Sequence, residues 1–143
     1  MDTKFSSAIH TLILISESEK PLTSEAIATS VGTNASYIRK ITCLLGKKGI
    51  VEGHRGVSGF ALIPKAEDLS LLQIYQAINE TDMPHIFDIH QNPNDRCVVG
   101  QHIKPVLTEM FAQIEETFSR TLAEKTLADC ISLMKKEIEK KNH

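Results

Sequence analysis

The sequence lacks any apolar run near the ~20 residues a membrane span requires; stretches such as Leu12 to Ile15 fall far short. Only Asp2 and Lys4 precede the first amphipathic segment, without the basic lead, apolar block and cleavage pattern of a secretory leader, so a cytoplasmic protein with no membrane partner is expected. Cysteine is scarce. Cys43, Cys97 and Cys130 are odd in number and far apart, which argues against a disulfide framework, and no Cys-x-x-Cys pair supports a zinc site. No nucleophile–base spacing, metal motif or phosphate loop is present. Gly56-Val57-Ser58-Gly59 is too short for a phosphate loop and lies in a turn, so an enzyme is not expected. Internal repeats are also lacking.

Net positive charge is missing too, at −2 overall, but its distribution is uneven. Residues 1–64 hold seven Lys/Arg against five Asp/Glu, whereas residues 65–143 hold nine against thirteen. Arg39, Lys40, Lys47, Lys48 and Arg55 cluster within 35–55, with Glu52 the only acid. A local basic stretch is what contact with phosphates needs, although a solvated helix face has the same composition.

Hydrophobic spacing predicts a first helix over 3–16, from Phe5, Ala8, Ile9 and Leu12. Thr23 caps a second, Ser24 to about Ser30, and Asn34 a third, Ala35 to about Lys47. Strands are predicted at Ile50 to His54 and Phe60 to Ile63, around the glycine-rich turn of Arg55 to Gly59. Ser70 caps a fourth helix. Residues 79–95 read as irregular. A long helix then runs from Arg96 or Val98 to Glu124, with Pro105 near its start or kinking it, and Thr126 begins a last helix with Asp129 three residues on.

Three helices followed by a hairpin is the order of a winged helix. Ala28 precedes Gly32 by four residues, and Ile38 and Ile41 follow it by six and nine. That supplies close helix approach, a tight turn and two anchors, the needs of a helix-turn-helix. The fold expected is therefore mainly α with a small β-hairpin. Residues 1–64 form a winged helix-turn-helix head, 65–95 a connecting helix and loop, and 96–143 a helical dimerisation tail. On the third helix Ser36, Tyr37, Arg39 and Lys40 are expected to face outward. Residues near the start of such a helix meet base edges in the major groove, and Arg39 can bond guanine bidentately. Lys40, Lys47 and Lys48 suit phosphate contact. Arg55, between glycines at a hairpin tip, can enter a minor groove. A winged helix used for protein contact is the alternative, with these cations merely solvated.

The run from Thr23 to Ala28, continued by Gly32 to Ile38, resembles the Rrf2 family of regulators, which contains IscR, NsrR and CymR. So do Arg55-Gly56-Val57-Ser58-Gly59-Phe60-Ala61-Leu62, the segment Asp68 to Ile78, and Thr126-Leu127-Ala128-Asp129. The resemblance spans nearly the whole chain. It implies a DNA-binding transcriptional regulator, a repressor acting as a homodimer on a roughly palindromic double-stranded operator. Thr23, Asn34, Ser36, Tyr37, Arg39, Lys40, Lys47 and Arg55 would contact DNA. Arg39 replaces an acidic residue of some members and Ala61 the usual wing tyrosine.

Some relatives hold an iron–sulfur cluster on three cysteines just before the long helix; here residues 83–104 contain only Cys97, so no cofactor is expected. Cys97 at the start of that helix, beside Arg96, suits a thiolate that senses oxidants, as well as a half-buried packing residue. Cys43 and Cys130 fit apolar helical positions and are expected in the core. Ile103, Leu107, Met110, Ile114, Phe118 and Leu122 form a stripe expected at a dimer interface. Control by a small ligand or partner protein, with residues 79–95 as a lid, remains an alternative.

Overall fold

Ala8, Thr11, Leu12 and Ile15 fall on one face of helix α1 (Lys4–Glu17), all buried. This is a computed structural model that describes residues 2–53 and 59–141. Helix α2 (Ser24–Val31) starts where the Thr23 hydroxyl accepts the Ala26 amide at 3.1 Å, and ends at Gly32, whose φ of +85° reverses the chain. Two residues later the Asn34 side chain accepts the Tyr37 amide at 2.9 Å and opens α3 (Ala35–Lys47). Ile38, Ile41, Thr42 and Leu45 make its buried face, anchoring it on α1 and α2.

Strands β1 (Val51–Gly53) and β2 (Phe60–Leu62) pair antiparallel, Val51 opposite Leu62 and Gly53 opposite Phe60. An Ile63 amide bond to the Ile50 carbonyl extends the ladder, and Leu22 bridges Phe60 on the far side. Arg55, Gly56 and the rest of 54–58 lie outside the described residues, as do Met1, Asn142 and His143.

Ser70 and Gln73 form a reciprocal capping box at the start of α4 (Leu71–Asn79). Its Ile74, Ala77 and Ile78 join the core of the first three helices. Helix α5 (Val98–Glu124) is one continuous helix despite Pro105. Thr126 and Asp129 cap α6 (Leu127–Lys141) reciprocally, at 2.9 and 3.1 Å. The link between α5 and α6 is stitched to the start of α4, with the Leu71 amide on the Lys125 carbonyl and the Leu127 amide on the Leu69 carbonyl. The last helix therefore returns to the head. Leu127 and Ile131 lie in the same core cluster as Leu12 and Ile38, and Lys135 reaches Glu17 at 3.4 Å. Burial of a leucine such as Leu127 stabilises by about 1.5–3 kcal/mol, so residues 96–143 support the head as well as extending from it.

Several expectations need correction. Cys43 is exposed, because it lies across the helix from Ile38, Ile41 and Leu45; Thr42 fills the inward place, its hydroxyl donating to the Ile38 carbonyl. Tyr37 is half-buried against the core, since it falls beside Ile41 on the wheel. Cys130 is half-buried, as expected of a packing residue. Leu122 is buried within its own protomer, and Phe118 meets Tyr75 edge-on at 5.9 Å, which in turn meets Phe5 at 5.5 Å. That aromatic chain ties α5 to α4 and α1. The apolar surface of α5 thus divides into two stripes. Leu107, Phe111, Phe118 and Leu122 are partly or fully buried, while Val99, Val106 and Met110, rotated around the helix, and Ile114 at the border between the two are exposed.

Candidate nucleic-acid interface

Helix α3 presents its outer face because its inner one is committed to the core. Ser36, Arg39 and Lys40 are exposed on it, with Cys43 one turn further on. The Arg39 guanidinium is held from two sides: Nη2 donates to the Ser36 hydroxyl at 3.3 Å, and Nη1 lies 3.5 Å from the Glu25 carboxylate on α2. Thr23 and Asn34 are not free polar groups, since each side-chain oxygen accepts a helix amide. Tyr37 contributes a half-buried ring behind this face. Lys47 stands 4.0 Å from Glu80, which caps α4 in a left-handed conformation at φ +50°. An exposed pair at that distance is worth little and is easily exchanged for another anion. Glu25 was not singled out from the sequence. Its fourteen-residue separation from Arg39 follows no helical spacing, and only the packing of α2 on α3 brings them together.

Residues 1–132 match the Rrf2 family, described as iron-dependent transcriptional regulators.

The chain belongs to the Rrf2 family.

It is similar to the HTH-type transcriptional regulator YwnA of Bacillus subtilis (strain 168), 37% identical over 132 residues, covering 92% of this chain and 97% of that protein. YwgB of the same organism is 28% identical, covering 89% and 81%. A crystal structure assigned as a DNA binding protein is 36% identical, covers 90% of this chain and 98% of its own, and superposes with a TM-score of 0.74. CymR, the global cysteine regulator of B. subtilis, shares the fold at 19% identity and a TM-score of 0.68, with 92% and 95% covered. The protein is accordingly a DNA-binding transcriptional regulator of the Rrf2 family and not an enzyme.

The family description names iron, and the thiols of this chain are not gathered as a cluster's ligands would be. Its thiols sit on three separate elements, α3, the start of α5 and α6. Among the described residues no group of three His, Cys, Asp or Glu side chains is placed to hold a metal ion.

Cys97 is the N-cap of α5 and is exposed. Its sulfur makes no full capping hydrogen bond, yet the Gly100 amide, and then that of Val99, hold the thiol below its usual range. The amides at the helix N-terminus are the cause expected from the sequence, and the added Arg96 charge is not among the causes. Burial, with the Asp129 carboxylate next, pushes the Cys130 thiol up instead. A strap ahead of Cys97, unresolved by sequence reasoning, lies along α5. The Ile86 amide donates to Glu115 at 2.6 Å, Phe87 packs on Phe111 at 4.9 Å, and His85 sits between Asp88 and Glu115 at 2.7 and 3.7 Å. Periodicity within 79–95 carried no sign of it. Among the described residues no helix is long and apolar enough to cross a membrane.

Proposed function

We propose that the protein is a cytoplasmic, cofactor-free homodimeric repressor that inserts α3 into successive major grooves of a roughly palindromic operator and is released by oxidation of Cys97. The observation that carries this reading is the exposed Ser36–Arg39–Lys40 face of a helix whose own cap and core contacts are satisfied internally. Arg39 reads guanine, Ser36 an adjacent edge, and Lys40 and Lys47 neutralise phosphates, Lys47 leaving Glu80 to do so. Thr23, Asn34 and Tyr37 border the same groove, and the resemblance to the family assigns Arg55 to the minor groove.

Dimerisation is supported by the exposed half of α5. Val106, Met110 and Ile114 are 53%, 50% and 45% exposed and continue from the half-buried Ile103 and Leu107. A second copy related by a two-fold axis would cover this stripe and space the recognition helices for grooves about 34–36 Å apart. Cys97 starts the helix that sets that spacing. Its thiolate attacks a hydroperoxide; the O–O bond breaks, alkoxide or hydroxide leaves, and sulfur, oxidised by two electrons, becomes a sulfenic acid that a thiol reductant restores.

Binding to DNA from the region upstream of its own gene, measured with and without hydrogen peroxide, tests the reading. The expected result is binding that falls on oxidation, recovers with dithiothreitol and ignores peroxide in Cys97→Ser. Equal loss in Cys97→Ser would move the switch elsewhere, with exposed Cys43 on α3 next in line. Alkylation of Cys97 against pH should show half-reaction below the ~8.5 of a free thiol.

A further inference from the structure

We infer that Glu25 is a specificity-determining residue: it positions the Arg39 guanidinium so that the recognition helix discriminates between bases. The inference rests on the reading that α3 enters the major groove.

Arginine has a long, rotamer-rich side chain, and ordering it on a base costs conformational entropy. Here that side chain already has two partners within reach. Glu25, in the first turn of α2, takes Nη1, and Ser36, one turn before Arg39 on α3, takes Nη2. Each partner uses one of the two hydrogens on its nitrogen. One N–H on each terminal nitrogen and the Nε–H remain, enough for the paired O6 and N7 acceptors of guanine. The brace spans both helices of the helix-turn-helix, so the guanidinium plane is referred to the whole motif rather than to a single flexible side chain. Glu25 and Arg39 are 72% and 56% exposed, so the pair adds little to folding stability. A carboxylate on the DNA-facing side of this motif also repels phosphates and lowers affinity for every sequence. Its placement therefore makes sense as orientation of Arg39, with discrimination raised at some expense of general affinity.

A different role is also open to Glu25, since an acid in the first turn favours the helix dipole. The two roles separate in measurement. The full chain, Glu25→Ala, Glu25→Gln and Arg39→Ala are each used to select binders from a pool of randomised duplexes. The parent's selected duplex and its single-base variants are then titrated with each protein, and a thermal melt is recorded. Gln keeps the acceptor oxygen and loses the charge. The expected result is that Glu25→Ala loses about five- to tenfold of the preference at the base position that Arg39→Ala also relaxes, while binding unrelated duplex more tightly. Glu25→Gln should retain most of the preference and, like Glu25→Ala, bind unrelated duplex more tightly. A helix-dipole role would instead lower the melting temperature in both variants and leave the base profile intact. If Glu25→Ala changes affinity for all duplexes by the same factor, the inference is overturned and the docking of α3 stands. If Arg39→Ala has the parent's profile, the docking itself is wrong and the inference falls with it.

Discussion

The head and the first half of α5 treat the same kind of residue in opposite ways. In the head, Leu12, Ile27, Ile38 and Leu45 are wholly buried, each at the core-facing position its helical spacing dictates. In α5, Val99, Val106, Met110 and Ile114 recur as regularly and remain exposed. Regular spacing of apolar residues therefore marks a face that will be covered without saying by what. The head covers its own faces with α4 and α6. Among the described residues the first half of α5 is met by the strap 83–88 and by the turn at Asn94, which leaves a contiguous apolar stripe of the sort that marks an interaction surface.

The contrast can be broken most forcefully in the head. Ile38→Ala removes a fully buried side chain from the seat of α3 and should cost about 2–5 kcal/mol in urea unfolding. Unchanged stability would mean that α3 is not seated on this core. Met110→Glu should act in the opposite fashion. A half-exposed side chain contributes little to the protomer, so melting of dilute protein should hardly move. A charge left unpaired in a dimer interface costs about 3–5 kcal/mol, roughly a hundredfold or more in dimer affinity. Sedimentation of parent and variant over a micromolar range checks this, and identical profiles would remove α5 from the interface.

Gly100→Ala sharpens the comparison at the border of the two regions. A Cβ there would run into the Asn94 carbonyl oxygen, so the turn carrying Asn94 rests directly on the first turn of α5. Alanine gains about 1 kcal/mol of helix propensity, whereas forcing packed backbone apart costs typically 1–3 kcal/mol. The clash should win locally. Proteolysis within 83–96 should speed up while the head's unfolding stays put.

The smallest effect concerns His85. The Asp88 hydrogen bond, with the charges of Asp88 and Glu115, raises its pKa above 6.5. A raised folded value means that the contribution of His85 to the strap is fully present below pH ~6.5 and is lost as pH rises through the raised value. Amide exchange at Ile86, whose N–H is bonded to Glu115, should quicken over that window beyond the intrinsic base-catalysed increase. His85→Asn should abolish the extra step. Since His85 is exposed, the change should be modest.

Much of the fold was legible in the residues. Thr23, Asn34, Ser70 and Thr126 each cap the helix they were expected to open, because a cap is a contact over three residues and local chemistry suffices for it. The candidate interface was legible in part. Ser36, Arg39 and Lys40 face outward, but Tyr37 does not fully, and Cys43 is outside rather than inside. Tyr37 lies near the edge of the buried stripe, where a small change in orientation decides burial, whereas Cys43 lies opposite it, on the face α3 turns outward. The brace on Arg39, the pairing of Lys47 with Glu80 and the strap on α5 join residues fourteen to thirty-three positions apart and left no periodic trace.

By itself, then, the sequence determined the order of elements, their caps and the family, since these depend on short-range spacing and on runs of residues read in order. Tertiary structure alone decided which apolar faces were already occupied. Leu122 and Leu127 belong to the protomer's own packing and Met110 does not, because burial depends on where distant helices lie, and the return of α6 onto α1 is settled by long-range contacts that no local pattern encodes.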